Sequence, residues 1–257
     1  MTDPRPWMLA VRSSHDRLAA LIDGLAPGQL ASPSYDSEWT VAQVLSHLGG
    51  QAEYFALVLD AGLTGDPPPG PAAMPPIWDR WNARAPEIQA SESVAANERL
   101  VRRLESLDAS ALHAFHVSLF GAERDVVGLM RLRLGEHAVH TWDVAVTLDP
   151  AATVAGDAVQ LLIDHLPEMV GRVGRPAPRA LTLAVSTSDP DRRFTLAADG
   201  VRLDPWTDQV TGGSLRLPAE ALFRLVHGRL DPAHTPPLQL DAPGVAVDDL
   251  RAVFPGF

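Results

Sequence analysis

Two residues four apart, Glu136 and His140, stand within Arg131-Leu-Arg-Leu-Gly-Glu136-His-Ala-Val-His140-Thr-Trp-Asp143, and another histidine, His47, lies far upstream. An i, i+4 pair projects from one face of a helix. That face also carries Leu129 and Leu132, so it is expected to point inward. A carboxylate on an apolar face needs a partner, because burying an unpaired charge costs several kcal/mol or more. A divalent metal held by His47, Glu136 and His140 would supply one. Three protein ligands leave a coordination position open, the mark of a catalytic rather than a structural site. Each half has a plainer reading. A lone histidine on a half-apolar helix is usually bonded to a carbonyl, and a lone Glu/His pair usually makes a structural hydrogen bond. Together they make a metal centre an equal alternative. His137 lies about 100° around the helix from Glu136 and is not expected to ligate. Asp143, one turn beyond His140, either orients a ligand or pairs with an arginine.

Composition narrows the chemistry. The chain has 257 residues, 46% of them hydrophobic, enough for one large domain or two smaller ones. There is no cysteine, which removes disulfides, thiolate metal sites and cysteine nucleophiles. All 21 basic residues are arginine, so there is no Schiff-base lysine and no phosphate-loop lysine. A net charge of −11 argues against nucleic-acid binding. Arg99, Arg102 and Arg103 alternate with Glu98 and Glu105, as on a solvated helix face. No apolar run approaches the roughly 20 residues of a membrane helix, and the polar start has no leader pattern. A cytoplasmic protein without membrane attachment is expected. No G-x-S-x-G is present, and Thr211-Gly-Gly-Ser214 precedes a strand, so it reads as a turn.

Four helices must position the candidate ligands. The first runs from about residue 7 to 25, closed by Pro27 and Gly28. The second opens at Thr40, with Gln43 completing a capping box and Trp39 and Val44 in the staple positions. It carries His47, and also Gly49 and Gly50, which favour close approach by a helix or ligand. The segment Asp66 to Pro76 is too proline-rich for a helix and reads as a stiff loop. A third helix is expected from Ile77 to Leu107, interrupted near Pro86, and a fourth from Val126 to Val146. Inward ligands on such helices describe a bundle with a site in its core. After residue 150 the pattern changes. Leu181–Ser186, Arg193–Ala197, Ser214–Leu217 and Leu238–Leu240 read as strands, and Pro218 to Gly228 as a helix. The expected organisation is a helical bundle over 1–150 and a small α+β domain over 151–257. His113, His116, His165 and His234 read as surface residues without partners.

Three stretches together resemble the mycothiol-dependent maleylpyruvate isomerase family of the DinB-like superfamily. They are Ser37-Glu-Trp39-Thr-Val-Ala-Gln-Val-Leu-Ser-His47-Leu, Trp81-Asn82-Ala-Arg84, and Gly135-Glu136-His-Ala-Val-His140-Thr-Trp142-Asp143. Leu222-Phe-Arg-Leu-Val-His-Gly-Arg229 resembles the helix end of the family's C-terminal domain, with His227 where an aromatic residue is expected. The resemblance implies a DinB-like four-helix bundle holding zinc or a similar divalent ion on His47, Glu136 and His140. It implies mycothiol as cofactor, with Asn82, Arg84 and Asp143 as cofactor-binding positions and Arg229 as a catalytic residue. The missing cysteine is consistent with a thiol supplied from outside. A metal-bound thiol ionises and attacks a small electrophile, as an S-transferase or a cis–trans isomerase requires. The alternatives are a metal-dependent hydrolase using bound water and a non-catalytic binding protein of the same fold.

Overall fold

The computed structural model describes residues 2–36, 38–207 and 212–256. Ser37 of the first motif and Thr211 of the glycine turn lie outside the described residues. The chain divides into two units, Met1–Ala152 and Thr153–Phe257.

The first unit is built on four long helices: α1 (Arg5–Asp23), α3 (Val41–Thr64), α5 (Pro86–Glu105) and α7 (Val126–Ala145). Each of α1 and α3 packs against both α5 and α7, which closes the four-helix bundle. The start of α3 follows from its sequence. Thr40 Oγ1 accepts from the Gln43 N–H at 3.2 Å, and Gln43 Oε1 accepts from the Thr40 N–H at 2.8 Å. Trp39 packs against the apolar cluster that includes Leu18, Val44, Leu45 and Leu48. Asp125 caps α7 by accepting from the Gly128 N–H at 2.8 Å.

Shorter elements join these helices: α2 (Pro27–Leu30), α4 (Met74–Asn82), α6 (Ala109–Ala114) and the hairpin of β1 (Val117–Leu119) with β2 (Ala122–Arg124). Several depart from the sequence reading. Pro27 and Gly28 do not merely end α1; they begin the single turn α2. The proline-rich loop ends earlier than expected, because Pro75 and Pro76 lie in the first turn of α4. First-turn N–H groups have no helical partner, so proline loses nothing there. The third helix is interrupted near Pro86 as expected, into α4 and α5, although it begins at Met74 rather than Ile77. Gly49 has the close neighbour its type suggested: a Cβ there would stand 2.2 Å from the Trp81 ring of α4.

The second unit carries α8 (Gly156–Leu162), α9 (Leu166–Val173), β3 (Thr182–Ser188), β4 (Arg192–Ala197), β5 (Arg202–Pro205), β6 (Ser214–Pro218), α10 (Ala219–Val226), β7 (Gln239–Asp241) and α11 (Val247–Val253). The sheet order is β5-β4-β3-β6-β7, antiparallel except for the parallel pair β3–β6. Val185 sits opposite Phe194 on one side and Leu215 on the other. Leu183, Val185, Leu215 and Leu217 are buried, and α9 and α10 pack on the sheet. The architecture is therefore a four-helix bundle followed along the chain by a small α+β unit. The sequence reading missed β5, α8, α9 and α11. Among the described residues, no helix is long and apolar enough to cross a membrane.

Candidate metal centre

His47 is on α3, and Glu136 and His140 are on α7, two helices that pack directly together. One ligand-capable atom from each lies within 4.8 Å of the others. His47 Nε2 is 3.6 Å from Glu136 Oε2, and His140 Nε2 is 3.8 Å from the same oxygen. A tetrahedral ion with bonds of ~2.0–2.1 Å holds its ligands about 3.4 Å apart, so small adjustments of these side chains would seat one. His47 Nε2 is buried without a hydrogen-bond partner. Such an atom is costly unless something else satisfies it. The donor set of two imidazoles and one carboxylate suits a divalent transition ion.

The surroundings orient this set. Asp143, with a side chain 1% exposed, places Oδ2 2.9 Å from His140 Nδ1. That bond puts the proton on Nδ1 and leaves the Nε2 lone pair facing the other ligands. Trp39 lies over both imidazoles, with ring centroids 5.2 Å from His47 and 6.3 Å from His140. Gln51 Nε2 donates to Glu136 Oε2 at 2.6 Å, and Gln51 Oε1 accepts from Arg133 Nη1 at 2.8 Å. Arg133 is fully buried and also donates to the Leu48 carbonyl and to Asn97. Sequence reasoning missed Gln51 and Arg133. Both were findable by spacing, since Gln51 is four residues after His47 and Arg133 three before Glu136, on the ligand-bearing faces.

Charge states favour metal binding. Burial pushes the His47 imidazolium down, against the pull of Glu136, so His47 stays neutral at pH 7. At Glu136 burial opposes ionisation, but the approach of His47 and His140 and the Gln51 amide outweigh it. They hold the carboxyl well below its usual range, even though its side chain is 41% exposed.

Beside His47 lies a cavity of about 360 Å³ lined by Trp39, Gln43, Ser46, His47, Trp78 and Asn82. Ser46 Oγ donates to Asn82 Oδ1 at 2.7 Å. Of the other expected site residues, Arg84 places its guanidinium carbon 3.8 Å over the Trp81 ring, with Nη1 buried and unpartnered. Arg229 belongs to the second unit, where its buried guanidinium donates to the His227 carbonyl at 2.7 Å. His137 turns away from the three ligands; its Nδ1 is 2.8 Å from Ser14 Oγ on α1. Three of the four histidines expected to lack partners have them: His116 Nδ1 lies 3.0 Å from the Ala114 carbonyl, His165 lies 3.6 Å from Glu168, and His234 lies 2.9 Å from Asp231.

Residues 11–145, more than half of the chain, match the family model described as mycothiol maleylpyruvate isomerase N-terminal domain. The chain belongs to this family. A crystal structure of the mycothiol-dependent maleylpyruvate isomerase superposes with a TM-score of 0.68 at 13% identity, over 89% of this chain and 90% of that one. A point mutant of that enzyme gives the same values. At that identity the likeness shows a shared fold. A protein of Geobacillus thermodenitrificans named as a candidate metal-dependent hydrolase is 41% identical over 66 residues, 26% of this chain. This chain covers only 37% of that relative's length.

Proposed function

We propose that this chain is a metal-dependent, mycothiol-using enzyme that joins the thiol to an electrophilic small molecule, as an S-transferase or a cis–trans isomerase. The observation that carries this reading is the convergence of His47, Glu136 and His140, with the buried His47 Nε2 left unpaired. A divalent ion there, zinc by the family resemblance, would lower the pKa of a coordinated thiol and so supply a nucleophile near neutral pH. The protein's own groups do the rest. Asp143 fixes the tautomer of His140, and its near-complete burial suits a positioning role better than direct contact with a cofactor. Gln51 and Arg133 hold Glu136 in place. Asn82 and Arg84 are proposed to contact the thiol cofactor. Arg229 is proposed to act in catalysis, since a guanidinium can grip a carboxylate by two parallel bonds. In this reading residues 1–150 supply the metal chemistry, residues 151–257 carry Arg229, and the enzyme works in the cytoplasm. Membrane and nucleic acid are not among the proposed partners.

The test is zinc titration of the purified protein followed by calorimetry with mycothiol. Wild type is expected to bind one ion and then the thiol, and Glu136→Gln to bind the ion at least 10- to 100-fold more weakly, since even outer-sphere changes cost that much. Normal metal affinity in both Glu136→Gln and His47→Ala would remove the centre as drawn. The name of the Geobacillus relative favours a second reading, hydrolysis by metal-activated water. Turnover without any added thiol would select it.

A further inference from the structure

The second unit carries two cations that the proposed chemistry leaves unused. Strand alternation puts Leu183 and Val185 on the buried face of the sheet and Ser186 on the opposite face. The register then sets an arginine on each side of that serine: Arg193 of β4 and Arg216 of β6 are both Cα partners of Ser186. Neighbouring strands lie about 4.7–4.9 Å apart, so the two arginine Cα atoms are roughly 10 Å apart with only a small side chain between them. Both arginines are exposed, and among the described residues neither makes an ion pair, in a chain with 32 acidic residues to 21 basic ones. Arg193 only rests beside Trp206, its guanidinium carbon 5.7 Å from the ring centre, near the outer limit of a cation–π contact. The acids along these strands do not neutralise the pair. Asp204 is bonded to Arg202, and Asp241 stands two residues along β7 from Gln239, the Cα partner of Arg216. Like charges gathered on one face without a counter-charge repel, and a bound anion would relieve them.

Arg216 lines a cavity of about 540 Å³ at the C-terminal ends of the parallel strands β3 and β6. Ser186, Ser188 and Gln239 share the lining with it, and no acidic residue does. Pro237 and Leu238 add an apolar wall. A guanidinium offers an oxyanion two parallel N–H bonds, and the hydroxyls and the amide are neutral donors. The volume suits a small organic molecule better than a bare ion. We propose that this cavity binds the phosphate group of a small phosphate ester. Arg216 grips two of its oxygens, Ser186, Ser188 and Gln239 donate to the others, and Arg193 supplies a second cation from across β3. The organic part lies against Pro237 and Leu238. Two cations match a phosphate dianion better than a carboxylate, which brings one charge. The site is built wholly from the second unit, at the end of α10 remote from Arg229: Pro218, which lines the cavity, precedes that helix, and Arg229 follows it.

Binding is testable without metal, thiol or turnover. The full-length, metal-free protein is titrated by calorimetry with phenyl phosphate and with benzoate at about 150 mM chloride, which screens loosely held surface anions. Phenyl phosphate is expected to bind one per chain, and at least about fivefold more tightly than benzoate. Arg216→Gln is expected to weaken it about tenfold or more, as loss of charge-assisted hydrogen bonds does. Arg193→Gln, which removes the more distant cation, is expected to cost about threefold. Circular dichroism checks that both variants fold. Arg84→Ala and Arg229→Ala, which remove the buried arginines proposed to serve the thiol and the reaction, are expected to leave phenyl phosphate binding unchanged. A folded Arg216→Gln that binds phenyl phosphate normally, an equal loss in Arg84→Ala or Arg229→Ala, benzoate binding as tightly as phenyl phosphate, or no saturable binding at all would each overturn the proposal.

Discussion

Asp143→Asn removes one charge and almost no volume, and it should weaken metal binding about fivefold or more. Asp143 is buried and lies 2.9 Å from His140 Nδ1. A hydrogen bond with one charged partner contributes about 1.5–3 kcal/mol, against about 0.5–1.5 for a neutral pair. If the asparagine oxygen keeps the contact, the difference of about 1–1.5 kcal/mol appears as roughly a five- to tenfold loss of affinity. If the amide nitrogen faces the ring instead, Nδ1 becomes an acceptor, the proton moves to Nε2, and His140 can no longer ligate. The loss then approaches the upper end of the 10- to 100-fold range seen for such partners. Competition with a chromophoric zinc chelator measures the affinity, and circular dichroism melts check the fold. Asp143→Ala, which leaves Nδ1 without a partner, should lose more. Two folded variants both within twofold of wild type would refute the idea that Asp143 sets the tautomer.

The remaining predictions concern the scaffold and the second unit. Gly49→Ala should destabilise by about 1–3 kcal/mol through overpacking, because its Cβ would meet the Trp81 ring at 2.2 Å, whereas Gly50→Ala, with nothing nearer than 3.4 Å, should be neutral or stabilising; thermal melts that rank the pair the other way would contradict the packing. His15, His47 and His137 all have pKa values lowered chiefly by burial. The unfolded chain therefore binds more protons below about pH 6.5, and the melting temperature of the metal-free protein should hold steady above about pH 7 and fall steadily toward pH 5. A flat profile, or one no shallower in His137→Gln, would show that these rings are not carrying the dependence. Arg229→Ala should keep metal affinity but lose turnover or thiol affinity; a lowered melting temperature with normal turnover would return Arg229 to a structural role at the end of α10.

What was legible in the sequence was local. The Thr40–Gln43 box, the 3.6-residue stripes of α1, α3 and α7 and the alternation of β3 and β4 are written in neighbouring residues. Glu136 and His140 are readable for the same reason, being one turn apart. That His47 joins them is, from the residues alone, only an equal alternative to separate hydrogen bonds, because a contact between distant residues has no local signature; the family resemblance is what favours it. Pro75 and Pro76 were misread because proline is forbidden inside a helix but welcome in its first turn, and composition does not reveal which position a proline takes. The one-turn and two-turn helices of the second unit carry too few residues to show a period. Gln51 and Arg133 matter through bonds made across helices, visible only once α3, α5 and α7 are assembled.

Since Gln51 already donates to Glu136, and Arg133 holds Gln51, the bundle does not depend on an ion to satisfy its carboxylate. That sets it apart from small zinc domains, which unfold when stripped. If the proposed centre takes up an ion, folding and metal loading would be separate events, and filling would be a matter of supply: the chain would fold first and accept whichever divalent ion is then available. The metal found in an overproduced preparation would accordingly record the growth medium, and the protein's own preference would be read by stripping it and letting several ions compete for it at known free concentrations.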